Sequence, residues 1–122
     1  MSAKILLVDD SALARRSVRQ MLESAAYVVV EAEDGLVALE RYFLEKPDLV
    51  LLDLVMNGMM RLDVLQKLHE MDPKVRAIVV SADIQHSSRE LAVAGGARDF
   101  LNKPVDRGSL LKAVSAALEG PA

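Results

Sequence analysis

Leu49-Val50-Leu51-Leu52 is an unbroken apolar run closed by a single carboxylate, Asp53. A strand with one wet face alternates apolar and polar residues. A continuous run instead reads as a strand buried on both faces, as in a parallel sheet covered by helices on each side. Such a strand delivers Asp53 at its carboxyl end, the edge where open α/β sheets bind their ligands. Ile5-Leu6-Leu7-Val8 is a second run of this kind and ends on Asp9-Asp10. A later strand-like run ends at Leu101-Asn102-Lys103-Pro104 and brings a cation to the same edge.

Five strand candidates alternate with five helix candidates. The strands are Lys4–Val8, Tyr27–Glu31, Asp48–Asp53, Val75–Val80 and Ala97–Leu101, all short and rich in β-branched residues or leucine. The first helix is expected from about Ser11, as N-cap, to Ala25, with a stripe of Ala14, Val18, Met21, Leu22 and Ala25. The second starts at Asp34-Gly35, carries Leu36, Leu39, Tyr42 and Phe43 on one stripe, and stops before Pro47. The third shows Val64, Leu65 and Leu68 and ends before Pro73. The fourth, about Ile84 to Ala94, is poorly patterned and closes at Gly95-Gly96. The last opens at Asp106 and repeats through Leu110, Leu111, Val114, Ala117 and Leu118.

Strand–helix alternation with short connections implies right-handed crossovers and a parallel sheet. Five strands in 122 residues suggest a doubly wound α/β fold of strand order 2-1-3-4-5 in a single domain, residues 1–122. That order puts the first and third strands at the switch point, so Asp9-Asp10 and Asp53 meet where a ligand is expected.

Composition narrows the chemistry. The chain has no cysteine, which excludes disulfides and thiolate metal sites. The net charge of −3 and the four scattered aromatics, Tyr27, Tyr42, Phe43 and Phe100, argue against a nucleic-acid partner. No apolar stretch approaches a membrane span, and Met1-Ser2-Ala3-Lys4 leads straight into the first strand without leader character. A soluble cytoplasmic protein is the expectation.

Gathered carboxylates repel one another and need a counter-charge. A hard divalent cation with all-oxygen ligands, Mg2+, suits them. It would also neutralise an incoming phosphate, with Lys103 adding a second positive charge. This suits phosphoryl transfer by positioning and charge neutralisation. Asp53, standing alone between the Asp9-Asp10 pair and Lys103, is the candidate nucleophile for an acyl phosphate. Taken singly, an Asp pair capping a helix, an Asp after a strand or a Lys before a proline is commonplace. Their joint placement at successive strand ends favours a site.

These residues resemble the receiver domain of bacterial two-component response regulators along nearly the whole chain. The matching pieces are Leu7-Val8-Asp9-Asp10, Pro47 through Met56, Val79-Val80-Ser81-Ala82, and Gly96 through Pro104. The resemblance implies a flavodoxin-like fold with Asp53 as phosphoacceptor. It implies Mg2+ ligation by Asp10, by Asp9 in support, by Asp53 and by the Val55 carbonyl. Ser81 and Lys103 would contact the phosphoryl group, Phe100 would be the aromatic switch, and the Lys103–Pro104 bond is often cis in this family. Asn57 and Arg61 depart from the family pattern, standing where a proline and a glycine are usual.

The expected function is a stand-alone phospho-switch of the chemotaxis or phosphorelay type. A histidine kinase or phosphotransfer protein would charge it. Output would be protein–protein binding through the fourth helix, fifth strand and fifth helix, with self-catalysed phosphorylation and hydrolysis only. The alternative is a degenerate receiver that binds partners without phosphorylation. A flavin or nucleotide carrier would need a glycine- or hydroxyl-rich loop where Asp9-Asp10 stands. An aspartyl phosphatase would need an acid–base aspartate where Val55 stands. Arg15, Arg16 and Arg19 read as a solvated face of the first helix, with a kinase-docking surface as the sharper reading. Neither His69 nor His86 receives a role.

Overall fold

The computed structural model describes residues 2–53, 61–81 and 97–119. The elements are β1 (Lys4–Val8), α1 (Ala12–Ser24), β2 (Val28–Ala32), α2 (Gly35–Glu45), β3 (Leu49–Asp53), α3 (Arg61–Met71), β4 (Ala77–Ser81), β5 (Asp99–Asn102) and α4 (Arg107–Glu119). The strands form one parallel sheet in the order β2-β1-β3-β4-β5, as the alternation predicts. The expected fourth helix over residues 84–94, the Val55 carbonyl and Asn57 lie outside the described residues.

Each strand of the sheet interior sends alternate side chains into two separate cores. Leu6, Val8, Val50, Leu52, Ala77 and Val79 pack with Ala38 and Tyr42 of α2 and with Val64, Leu65 and Leu68 of α3. Ile5, Leu7, Leu49, Leu51 and Ile78 pack on the opposite face with Leu22 of α1 and Leu110 and Val114 of α4. All five residues of β3 are buried, which is why its sequence shows no alternation.

Helix starts follow the caps in the sequence. Ser11 Oγ accepts from the Ala14 amide, Asp34 Oδ1 from that of Val37, and Asp106 Oδ2 from that of Ser109. The buried stripe of α3 is that expected; in α4 Leu110, Val114 and Ala117 are buried as expected, Leu111 and Leu118 only partly, and Ala113 joins them. The stripe of α2 is met only in part: Tyr42 is buried and Leu39 packs against the core. Gly35, Ala38 and Tyr42 face the sheet, whereas Leu36 and Phe43 are 68% and 70% exposed. Small residues let this helix lie close on the sheet, and hydropathy alone does not register that preference.

Four strands, β2 to β5, begin one or two residues later than expected. The Tyr27 amide donates to Leu22 O and that of Val75 to Asp72 O, so both residues close the preceding turns and not the ladder. The β5 ladder starts at Asp99, the partner of Ile78.

Candidate functional site

Parallel register assembles the site. Val8 pairs with Leu52 and Asp53 with Val80, so Asp9, one residue past Val8, comes level with Asp53. Ser81 pairs with Asn102 at the ends of β4 and β5, which puts Lys103 just beyond. Four strands thus end on one edge, where Asp9, Asp10, Asp53 and Lys103 come together.

Asp9 and Asp53 are each only 4% exposed. Buried carboxylates need partners. Lys103 Nζ lies 3.1 Å from Asp9 Oδ2 and 3.1 Å from Asp53 Oδ2, bridging the two. Burial disfavours the Lys103 ammonium, but the hydrogen bonds and charges of Asp9 and Asp53 outweigh it and hold the pKa above the usual lysine value. The Lys103–Pro104 peptide is cis.

Asp9 is anchored at every polar atom. Its amide donates to Ala32 O at 3.1 Å, continuing the β1–β2 ladder. Its Oδ1 accepts from the Ser11 amide at 2.9 Å, its Oδ2 from Lys103, and its carbonyl oxygen from Arg15 Nη1. Asp10, by contrast, is exposed, with its carboxylate beside the other two. Asp9, Asp10 and Asp53 each offer an oxygen, and these lie within 4.8 Å of one another. Three carboxylates at this spacing form an all-oxygen donor set that fits a hard divalent cation. Phe100 is 8% exposed and packs within the core shared by Val79 and Leu52.

One sequence-based reading needs correction. Arg15 is not on a solvated face, and Arg19, 40% exposed, lies at the surface but is paired. Arg15 Nε donates to Glu31 Oε1 at 3.0 Å, and Arg19 Nη1 donates to Glu31 Oε2. Arg16 is the exposed member of the three. The helical pattern of α1 shows which way Arg15 points but not that β2 places an acid there. Arg19 chiefly, with Arg15, holds the Glu31 carboxyl below the usual range against the opposing effect of burial. Among the described residues no helix is long and apolar enough to cross a membrane.

Comparison with known proteins agrees with this geometry. Residues 5–115 match the family model described as response regulator receiver domain. The chain is 36% identical to the chemotaxis protein CheY of Bacillus subtilis over 119 residues, 97% of this chain and 99% of that one. It is 40% identical to the protein PilH of Pseudomonas aeruginosa over 123 residues, again 97% and 99% of the two. The CheX-CheY-BeF3-Mg+2 complex from Borrelia burgdorferi superposes with a TM-score of 0.92 at 28% identity, covering 97% of this chain and 90% of that one. A CheY-like receiver domain from Methanospirillum hungatei gives 0.92 at 27% identity over 98% of this chain and 95% of the other. With its sheet order, its acidic edge and these relatives, the chain belongs to the response regulator receiver domain family and is a CheY-like, phosphorylation-dependent signalling switch.

Proposed function

We propose that Asp53 is the phosphoacceptor and that residues 1–122 act as one receiver domain, charged by a histidine kinase or phosphotransfer protein. The observation that carries the reading is the Asp53 carboxylate, buried and level with Asp9, with the Lys103 ammonium 3.1 Å away. An Asp53 oxygen attacks the donor's phosphorus, and the P–N bond to the donor histidine breaks as the new P–O bond forms. Asp9, Asp10 and Asp53, with the Val55 carbonyl that the family resemblance implies, would hold Mg2+, which would supply charge neutralisation to the transferring group. Lys103 and Ser81 bind phosphoryl oxygens. The acyl phosphate is then lost by hydrolysis in the same pocket, which makes the chain a self-limiting switch and not a dedicated enzyme.

Phosphorylation shifts a pre-existing equilibrium by bonding Ser81 and holding Phe100 inward, in the core where its ring packs. A coupling of about 1–3 kcal/mol is enough to shift such an equilibrium. The shift is read by a protein partner on the side of β5 and α4, the described part of the output surface that the resemblance implies. Intact mass after incubation with acetyl phosphate and Mg2+ tests the acceptor. One added phosphoryl group that needs Mg2+ and is lost in Asp53→Asn is expected. No adduct, together with no Mg2+-dependent beryllofluoride complex, would instead mark a degenerate receiver that binds partners without phosphorylation.

A further inference from the structure

The contact that no motif announces is the one between Arg15 and the main chain of Asp9. The Asp9 amide makes the last bond of the β1–β2 ladder, and the carbonyl of this residue, only 4% exposed, is left to be satisfied. A buried carbonyl of this kind takes a donor from somewhere. Here the donor is Arg15 Nη1, reaching back from the first turn of α1. The same guanidinium is gripped through Nε by Glu31 of β2, and its side chain is only 15% exposed. Glu31 is held in turn by Arg19, which also bonds Glu23 at 3.1 Å. Two arginines and two glutamates therefore form a charge-balanced chain of bonds between α1 and β2, ending on the Asp9 carbonyl.

We propose that Arg15 is a positioning residue for the acidic pocket: clamped by Glu31, it fixes the Asp9-Asp10 corner and so sets the affinity of that pocket for a divalent cation. The proposal rests on the reading of Asp9, Asp10 and Asp53 as the Mg2+ site. Its chemistry is that of supports behind metal ligands generally, which orient the ligand without touching the ion. Asp10 depends most on the corner, because it is exposed and the residue before it is the anchored one. Glu31 has a second purpose in this arrangement. A bare guanidinium beside three carboxylates opposes a cation, and the paired glutamate cancels that charge, leaving the hydrogen bond without the repulsion.

The two possible roles of Arg15 predict opposite signs. If the residue acts only through its charge, Arg15→Gln removes a cation and Mg2+ binds more tightly, by an amount that high salt erases. If it positions the corner, Arg15→Gln weakens Mg2+ by about 10-fold, at low and high salt alike. Glu31→Gln weakens it as well, since Arg15 loses its clamp and gains an uncompensated charge. Arg15→Lys, which keeps charge but cannot bond both partners, falls between wild type and Arg15→Gln.

The measurement is Mg2+ titration of the whole chain by calorimetry, with the Asp10 and Ser11 amide NMR shifts followed in parallel and the amide spectrum reporting that each variant is folded. Wild type should bind one Mg2+ and Asp10→Asn should not. Unchanged or tighter binding by Arg15→Gln overturns the proposal while leaving the metal site intact. Should Arg15→Gln not fold, Glu31→Gln decides: wild-type affinity in that variant overturns the proposal. Absence of Mg2+ binding by wild type overturns the metal site and the proposal together.

Discussion

Lys103 Nζ lies 3.1 Å from Asp53 Oδ2, across 50 positions of sequence, and makes an equal contact to Asp9. The lysine neutralises two buried carboxylates that a divalent cation also needs. Ammonium and metal therefore compete for the same negative charge in the resting pocket. Lys103→Met is expected to bind Mg2+ more tightly than wild type, by calorimetry. The same variant should accept phosphoryl groups at Asp53 about 100-fold more slowly, because a preorganised cation facing the transferring oxygens is lost. Weaker Mg2+ binding in Lys103→Met would mean that the ammonium organises the carboxylates more than it competes for them.

Tyr42 of α2 donates its hydroxyl proton to Asp72 Oδ2 at 2.7 Å, tying α2 to the end of α3, while Asp72 Oδ1 accepts from the Lys74 amide at 3.0 Å. The Tyr42 bond first, then that to Lys74, holds the Asp72 carboxyl below its ordinary value of 3.8. Burial first, then Asp72, raises the Tyr42 phenol above its ordinary value of 10.0. A carboxyl with a depressed folded pKa contributes stability above its unfolded pKa and loses it as pH falls through the folded one. A phenol with a raised folded pKa keeps its contribution below its unfolded value and loses it as pH rises. Tyr42→Phe is expected to cost about 1 kcal/mol in urea melts at about pH 7. That difference should shrink toward zero as the pH falls below the ordinary Asp range, since the protonated Asp72 is a weaker acceptor.

The sheet was legible because its interior strands are buried on both faces and show it as unbroken apolar runs. The site was legible because register turns three strand ends, far apart in sequence, into neighbours: Asp9, Asp53 and Lys103. Caps at Ser11, Asp34 and Asp106 were legible because each is a local side-chain-to-amide bond. What escaped was tertiary. The pairing of Arg15 with Glu31 and Asp9 depends on how α1 lies across β2, which no periodicity within α1 contains. The face of α2 escaped only in part, and for a different reason. Tyr42 and Leu39 pack inward as the stripe predicts, but Gly35 and Ala38 complete the buried face and leave Leu36 and Phe43 outside.

That arrangement has a measurable consequence. Leu22, fully buried between α1 and the sheet, should lose about 2–5 kcal/mol of stability on replacement by alanine, the range for large-to-small core changes. Phe43→Ala, in a side chain 70% exposed, should stay within about 0.5 kcal/mol of wild type. The stripe expected from sequence predicts a core-sized loss at Phe43 as well, so paired urea melts of the two variants separate the readings directly.

The end of α1 offers the opposite kind of change. The Tyr27 amide donates to Leu22 O at 3.2 Å and the Ala26 amide to Glu23 O at 3.0 Å, the paired bonds of a Schellman cap. Leu22 and Tyr27 meet in the same core, as that cap requires. The residue between, Ala26, sits at φ 69°, in the left-handed region where a Cβ crowds the following carbonyl. Glycine has no such contact, although it gives the unfolded chain more freedom to lose. The steric relief, about 1–2 kcal/mol, exceeds the entropic cost of about 0.4–1 kcal/mol. Ala26→Gly is therefore expected to raise stability by up to about 1 kcal/mol in urea, and Ala26→Val, with a branched Cβ, to lower it. Because Ala26 lies at the opposite end of α1 from Asp9, both variants should bind Mg2+ with wild-type affinity in calorimetry; a shift in either would mean that the cap governs how α1 presents Arg15 to the acidic corner.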